Sequence, residues 1–361
     1  RPTEQVAYEV HAVQAFNYTS AVGGPDSALF GVESVDLRYR AIDATWVWHE
    51  DENSSAVLFL DRFNAGFALP KADIIVGRQP ITFGKAFFWN PLDVFLPFDP
   101  RQFDRDYKPG VDALRVDYPF GPFSGMTFVA AAGREVDGTG QFADGDSTVS
   151  ASWYGSALLA RGFTTWKGWD LSLQGGKIYG GYQLGGGLVG EIGPIALRTE
   201  AAYFSAMDGS QPLPPSLGGD LVEDSFTAVV GIGRWFDNTL RLEFEYLFNS
   251  AGDPDNLDGS FVRFATGTIL QMSRNVTGFL VSYEFLPIVV GQLVWLYSWD
   301  DSSNNLQPIV TWSMADNIDL LLGASINVGS RPVVTSTGQV ELQSEFGTFP
   351  NLYFMQFKWY F

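Results

Sequence analysis

The feature that most constrains this chain is a period-two alternation of apolar and polar side chains that recurs along almost its whole length. In the stretch TLRLEFEYLFN (239–249), the apolar face consists of Leu240, Leu242, Phe244, Tyr246 and Phe248. The opposite face consists of Arg241, Glu243, Glu245, Leu247 and Asn249. Because successive side chains of a β-strand point to opposite faces, the stretch predicts a strand with one apolar and one mainly polar face.

Many segments of about ten residues share this design, and such a succession is typical of transmembrane β-barrels. Strands are predicted near 5–17, 34–48, 55–68, 73–84, 110–118, 123–134, 150–162, 168–179, 182–192, 195–206, 223–236, 239–250, 275–286, 288–299, 306–315, 318–328 and 350–361. Barrels of single bacterial chains have even strand numbers. The predicted fold is therefore an all-β, antiparallel, up-and-down transmembrane barrel of about 16 strands, with 18 as the alternative.

The connections between these segments alternate in length, which is a second sign of the same architecture. Short ones such as 190–194 and 315–317 are separated by long polar ones such as 134–150, 206–224 and 250–267. Short turns at one end and long loops at the other are typical of outer-membrane barrels. The sequence thus predicts one barrel domain over residues 1–361.

Composition excludes several other classes of protein. The 361 residues include no cysteine and two histidines, and the formal net charge is −19. The missing cysteines remove thiolate metal sites and disulfides, and the negative charge argues against a nucleic-acid partner. No apolar run reaches the 18 residues of a transmembrane helix candidate. The sequence has no GxSxG, HExxH or phosphate-loop motif, so we expect no enzyme and no resident cofactor.

The chain begins without the apolar stretch of a signal peptide. With the barrel pattern, this predicts a mature form located in the bacterial outer membrane, in contact with its lipid.

The C-terminal stretch YFMQFKWYF (353–361) resembles the C-terminal signature of bacterial outer-membrane porins, an amphipathic last strand that ends in Phe. The resemblance implies that the barrel-assembly machinery reads this signal, carried here by Tyr353, Phe357, Trp359 and Phe361. DIIVGRQPITFG (73–84) and SRNVTGFLVSYEFLP (273–287) are loosely similar to the porin families related to alginate export.

Charged side chains in the middle of predicted strands are expected to face the lumen. Placing Arg or Lys against lipid at mid-depth costs about 2–4 kcal/mol, which fixes the facing of these strands. The predicted pore-lining residues are Arg38, Arg40, Arg62, Arg78, Arg115, Arg198, Glu200, Arg241, Glu243 and Glu245. They either form a mixed electrostatic lining that selects solutes, or pair across strands and stiffen the wall.

Residues 85–110 form a connection that is too aromatic to lie free in water. The segment KAFFWNPLDVFLPFDPRQFDRDYKPG lies between two predicted strands, as a loop folded into a pore would. We expect it to narrow the lumen as a constriction loop, and the alternative is that it packs on the barrel rim or a neighbouring subunit. The predicted constriction residues are Asp93, Asp99, Arg101, Asp104, Arg105 and Asp106.

Asp-rich stretches at 144–147, 253–259 and 299–305 offer oxygen ligands for Ca²⁺, although none has EF-hand spacing. Solvated loop tips are the competing interpretation of these stretches.

The predicted function is an outer-membrane channel for passive diffusion of small hydrophilic solutes or ions. Two alternatives stay open: an export conduit for an acidic polysaccharide, and a scaffold barrel that sheathes a partner such as an electron-transfer cytochrome. A homo-oligomer and a periplasmic partner are both compatible with the sequence.

Overall fold

The computed structural model describes residues 6–18, 38–51, 54–95, 100–101, 108–137, 149–209, 211–336 and 338–360. The strands are β1 (Val6–Tyr18), β2 (Thr45–Asp51), β3 (Ser54–Ala68), β4 (Asp73–Gln79), β5 (Val111–Gly121), β6 (Ser124–Ala131), β7 (Ala157–Trp166), β8 (Trp169–Ile178), β9 (Gly181–Ile192), β10 (Ile195–Ala206), β11 (Ser225–Trp235), β12 (Arg241–Asn249), β13 (Asn275–Leu286), β14 (Val289–Ser298), β15 (Asn304–Ala315), β16 (Ile318–Val328), β17 (Val333–Val334), β18 (Val340–Glu341) and β19 (Leu352–Trp359). The helix α1 spans Leu257–Ala265. No described helix is long and apolar enough to cross a membrane.

One large antiparallel sheet contains 17 of the described strands. Each strand from β3 to β16 pairs with the next one along the chain, and β16 pairs with β19. β1 pairs along the full length of β3. β2 pairs only with the first six residues of β3, beyond the point where β4 leaves it. β1, β3–β16 and β19 thus form a sequential ladder, and β2 is added beside β3.

The two ends of the sheet differ in their connections. At the short-turn end, β3/β4, β5/β6, β7/β8, β9/β10, β11/β12, β13/β14 and β15/β16 are joined by only a few residues each. At the long-loop end, the connections 80–110, 132–156, 207–224, 250–274 and 329–351 carry most of the irregular chain. This is the alternation that the sequence predicts.

The two faces of the sheet also follow the predicted pattern. Large apolar side chains are exposed on one face, among them Leu184 at 61 %, Val230 at 51 % and Met355 at 73 %. The opposite face carries buried polar side chains such as Glu200 and Gln307. An apolar face of this extent requires lipid, because exposed in water it would drive aggregation.

The polar face encloses a segment of the chain itself. β4 ends at Gln79, and residues 80–95, called here the inward segment, run along the inside of the sheet. Its apolar side chains contact inward-facing side chains of strands from β5 to β14 in two buried clusters. A sheet that touches one short segment from so many consecutive strands must curl around it, so the polar face lines the lumen of a barrel.

The strand predicted over 34–48 is displaced in the structure. Its described part begins as irregular chain, and β2 starts only at Thr45. The carbonyl oxygen of Arg38 accepts a hydrogen bond from Arg134 N, and that of Tyr39 accepts one from Asp112 N. These contacts hold residues 38–44 against other chain segments at the long-loop end.

Candidate functional site

Two wall carboxylates hold the inward segment. Glu245 on β12 accepts hydrogen bonds from the backbone N–H groups of Phe87, Phe88 and Trp89, at 2.7, 2.9 and 2.8 Å. Glu200 on β10 accepts hydrogen bonds from Lys85 N, from Ala86 N at 3.2 Å and from Leu92 N at 3.4 Å. Both carboxylates are almost fully buried.

These hydrogen bonds satisfy backbone N–H groups of the inward segment, which does not pair with a neighbouring β-strand. Buried backbone N–H groups need acceptors, and charged acceptors form the stronger bonds, worth about 1.5–3 kcal/mol each. The wall also donates in return: Gln174 Nε2 bonds to Leu92 O at 2.8 Å, and Gln183 Nε2 bonds to Pro91 O at 3.2 Å. The inward segment is therefore fixed by side chains of β8, β9, β10 and β12.

Glycines in the wall make room for its apolar side chains. A Cβ atom at Gly278 on β13 would lie 2.6 Å from the ring of Phe88. A Cβ atom at Gly185 on β9 would lie 2.6 Å from Leu92, and one at Gly187 would lie 3.2 Å from it. These close approaches show that the wall and the inward segment are shaped to each other.

Charged side chains line the lumen at the short-turn end, below the inward segment. Glu243 lies between two arginines, with Arg198 Nη1 at 2.6 Å and Arg241 Nη2 at 2.9 Å. The Arg241 guanidinium lies 4.8 Å from the Phe87 ring and 5.0 Å from the Trp235 ring. Both arginine side chains are about a quarter exposed, so they face the lumen rather than a packed interior.

The other lumen pairs follow the same pattern. Arg62 Nη1 lies 3.0 Å from Glu9, and Arg115 Nε lies 2.8 Å from Asp117. Lys85 of the inward segment reaches down to Asp170 on β8 at 2.9 Å, and both side chains are more than two-fifths exposed. An exposed pair such as Lys85–Asp170 contributes about 0–1 kcal/mol to stability, so it affects the local field more than it stabilises the wall.

Three predicted pore-lining arginines lie instead among packed chain at the long-loop end. Arg40 pairs with the buried Asp61. Arg78 Nε lies 2.7 Å from Asp112, and its Nη1 donates to Leu60 O at 2.8 Å. Arg38 is almost fully buried there as well. The alternation of the predicted strands indicates that these three arginines face inward, but it cannot predict that irregular chain segments cover them.

Two predicted constriction residues lie among the described residues. Asp93 is buried and bonds to Lys108 Nζ at 2.5 Å and Thr82 Oγ1 at 2.9 Å. The Arg101 guanidinium lies 3.7 Å from the Phe349 ring. Asp99, Asp104, Arg105 and Asp106 fall outside the described residues.

The C-terminal strand places its predicted assembly residues on the lipid-facing side. Tyr353, Phe357 and Trp359 are exposed there at 74, 59 and 62 %. Their role in assembly stays a prediction, and Phe361 lies outside the described residues.

The described Asp-rich loops use their carboxylates on the backbone. Asp300 Oδ2 accepts hydrogen bonds from Arg274 N at 2.6 Å and Asn275 N at 2.9 Å, and Asp301 Oδ1 accepts one from Ser303 N. In the part of the chain that the structure describes, no group of three or more acidic or histidine side chains is placed to hold a metal ion. Residues 144–147 lie outside that part, and Ca²⁺ binding stays a prediction.

Sequence reasoning missed the glutamines and glycines that receive the inward segment. Gln174 and Gln183 lie on the lumen face of β8 and β9, and both are buried. The signal that could have found them is their inward parity, combined with the wall glycines at 185, 187 and 278. Their partners could not be read from the sequence, because they depend on where the inward segment crosses the lumen.

Above the inward segment, at the long-loop end, lies a cavity of about 110 Å³. Asn90, Pro91 and Asp93 of the inward segment form part of its lining, together with residues of β9–β12 and of the loops that follow β10 and β12. Lys85 and Phe87 of the same segment face the charged lumen below. The inward segment therefore has the long-loop cavity on one side and charged lumen residues on the other.

Comparison with known proteins shows the fold. No protein-family model and no curated protein sequence matches the chain. Acinetobacter baumannii OccAB2 is similar in structure, with a TM-score of 0.52 and 8 % identity over 90 % of this chain and 82 % of that chain. Pseudomonas aeruginosa OccD3 (OpdP) matches with a TM-score of 0.49 and 12 % identity over 84 % and 78 %. Pseudomonas aeruginosa OpdK, solved with vanillate, matches with a TM-score of 0.49 and 11 % identity over 90 % and 84 %. The similarity to OccAB2 shows that the chain has an antiparallel β-barrel fold, which resembles that of bacterial outer-membrane porins.

Proposed function

We propose that this chain is a channel of the bacterial outer membrane through which small hydrophilic solutes or ions diffuse passively, and that the inward segment sets its width. The observation that carries the proposal is the position of this segment between the charged lumen and the long-loop cavity. In the porin fold, the long-loop end faces the outside of the cell and the short turns face the periplasm. A solute that crosses the barrel has to pass the inward segment.

The chemistry of the lumen supports a hydrophilic solute. At the short-turn end the described lumen carries paired but solvent-exposed charges, such as Arg198, Arg241 and Asp170. Water and polar solutes are stabilised on such a surface, whereas apolar solutes gain nothing there.

The two alternatives receive less support from the described residues. A conduit for an acidic polysaccharide needs a continuous basic track, but Arg62, Arg115, Arg198 and Arg241 each face a carboxylate partner. A sheath for a partner protein needs an empty lumen, whereas Phe88, Trp89 and Phe95 of the chain itself are buried inside the barrel.

The test is single-channel conductance in planar lipid bilayers after substitution of Glu245 by Ala. The substitution leaves three buried N–H groups without their acceptor, at about 1–3 kcal/mol each. We expect the inward segment to leave its position, with a higher mean conductance or frequent transitions to a wider state.

Glu284→Ala is the matched control. Glu284 lies on the lumen face of β13 near the short-turn end, and its side chain makes none of the contacts described for the inward segment. The control should retain the wild-type conductance. If wild type forms no ion-conducting pore in bilayers, the channel proposal is wrong; if Glu245→Ala conducts like wild type, the inward segment does not set the width.

A further inference from the structure

Arg38 is a buried cation that forms no ion pair with a described carboxylate. Its side chain is about 5 % exposed. Among the described residues no carboxylate forms an ion pair with it, whereas Arg40, Arg62, Arg78, Arg115, Arg198, Arg241 and Arg263 all have one. A buried charge without a counter-charge destabilises a fold unless something else stabilises it.

The direct contacts that the structure describes for this guanidinium are with neutral groups. Arg38 Nη2 donates a hydrogen bond to Gly267 O at 2.9 Å, and the guanidinium carbon lies 4.8 Å from the centre of the Tyr179 ring. Among the described residues, no group accepts a hydrogen bond from its Nε. Burial raises the pKa of Tyr179 to about 12, so its hydroxyl stays protonated and provides no negative charge.

Hydrogen bonds fix the backbone around Arg38, and this fixed backbone determines the position of the guanidinium. Arg38 O accepts a hydrogen bond from Arg134 N at 2.7 Å, and the next residue, Tyr39, accepts one from Asp112 N at 2.8 Å. The Tyr39 hydroxyl in turn accepts a hydrogen bond from Tyr179 N at 3.0 Å.

Arg38 lines the long-loop cavity, together with the charged residues Asp93, Glu223 and Arg263. The other charged lining residues are neutralised: Asp93 pairs with Lys108, and Arg263 pairs with Glu223. Among the charged lining residues that the structure describes, Arg38 is the one without an ion pair. The cavity has a volume of about 110 Å³, which is enough for a small polyatomic anion.

We propose that the long-loop cavity is a binding site for a small oxyanion, with the Arg38 guanidinium as its charged ligand. A carboxylate or an inorganic oxyanion presents oxygen acceptors to a guanidinium and supplies the missing negative charge. Asn90, Pro91 and Asp93 of the inward segment lie in the same lining, so a bound anion is held at the outer side of the proposed constriction.

The test is isothermal titration calorimetry on the folded full chain in detergent, with acetate, nitrate and inorganic phosphate as separate probes. Acetamide is the neutral counterpart of acetate with nearly the same shape. We expect at least one of the anions to bind, and acetate, if it binds, to do so at least tenfold more tightly than acetamide. Binding of acetate alone identifies an organic carboxylate as the ligand class, and binding of nitrate or phosphate identifies an inorganic oxyanion.

Arg38→Met removes the charge and keeps a side chain of similar reach, and it should weaken anion binding at least tenfold. Arg38→Lys keeps the positive charge and should bind the anion with intermediate affinity. This result would show that anion binding depends on the charge at position 38. Arg234→Met, an exposed arginine near the short-turn end of β11, is the control and should bind like wild type. Heat-modifiable migration in gels confirms that each variant is folded.

Three results would overturn the proposal: no binding of any of the anions, equal affinity for acetate and acetamide, or wild-type affinity in folded Arg38→Met. The measurement needs no transport, so the site and the proposed channel function can fail separately. Only the placement of the anion on a solute path rests on the proposed function.

Discussion

At the scale of single residues, wall glycines decide where the inward segment sits. A glycine on the lumen face leaves a notch one side chain deep, and Phe88 and Leu92 occupy such notches at Gly278 and Gly185. Close-packed interiors tolerate added atoms poorly, because neighbours have to shift or leave their rotamers.

Gly278→Ala therefore tests the fit directly. The new Cβ would lie 2.6 Å from the Phe88 ring, which is fully buried and has little freedom to move away. We expect a loss of about 1–3 kcal/mol in the free energy of unfolding, measured as a lower urea midpoint by tryptophan fluorescence in detergent. Gly162→Ala on β7 is the control, since nothing lies within 4 Å of its added Cβ. Equal midpoints for the two variants would contradict the packing described here.

Glu345, in the loop before β19, provides a pH-dependent contribution to stability. Burial raises the pKa of its carboxyl from 4.5 to about 7, although Arg101 and the hydrogen bond from Ser273 N oppose the shift. The folded state thus binds more protons than the unfolded state between these values. The contribution of Glu345 to the free energy of unfolding is largest below about pH 4.5 and declines as the pH rises to about 7.

Glu345→Gln should remove this dependence. The variant keeps a hydrogen-bonding side chain of the same size but has no proton to lose. Urea midpoints measured from pH 4.5 to 7.5 should fall less steeply for the variant than for wild type. A wild-type slope in the variant would show that Glu345 does not titrate in this range.

At the scale of elements, the bounds of the barrel strands are determined by the local sequence, whereas the position of the inward segment is determined by residues distant along the chain. β10 spans Ile195–Ala206, β13 spans Asn275–Leu286 and β16 spans Ile318–Val328, the same bounds that the alternation predicts. In each case the pattern is local, because both faces of the strand can be read from neighbouring letters.

The helix α1 lies in a loop where the sequence predicts only Asp-rich irregular chain. Its signals are nevertheless present: Asn256 caps its N-terminus by accepting a hydrogen bond from Gly259 N at 3.1 Å, and Phe261 and Phe264 lie on the side that contacts Phe349. The helix was missed because its apolar face packs on a loop near the end of the chain, a contact that no local pattern reveals.

Two neighbouring positions on the last strand, Met355 and Gln356, allow its lipid-facing and lumen-facing sides to be tested separately. Met355 on β19 is 73 % exposed on the lipid-facing side, whereas Gln356 points into the lumen. Met355→Arg should lower the free energy of unfolding in lipid by about 2–4 kcal/mol, because a charge at mid-depth is placed against hydrocarbon. Gln356→Arg should change it by less than about 1 kcal/mol. Reversible urea unfolding in lipid vesicles measures both, and equal losses would mean that the assignment of faces is wrong.

At the scale of the whole molecule, the barrel fold can be predicted from the sequence, but the contacts of the inward segment inside the lumen cannot. The alternation that sets the direction and facing of a strand recurs in every strand segment. An error in the bounds of one strand therefore does not change the predicted architecture. The position of Glu245 opposite Phe87–Trp89, or of Gln174 opposite Leu92, depends on the path of one connection through the inside of the barrel. Parity predicts that Glu245 is inside, but not which group it holds.

The net charge of −19 also has to be interpreted on the whole molecule. The charges described in the lumen are largely paired, and several loop carboxylates cap backbone N–H groups, as Asp300 does. Net charge is therefore a poor guide to ion selectivity, which depends on the few groups beside the constriction.

The most direct test of the central claim is the single-channel conductance of a variant that lacks residues 87–108, compared with wild type in planar bilayers. The deletion removes the part of the inward segment that Glu245 holds and leaves the barrel strands intact. We predict discrete channels in both proteins and a clearly larger conductance for the variant, because the segment no longer narrows the lumen. An inserted variant with wild-type conductance would contradict the claim that this segment sets the width of the channel.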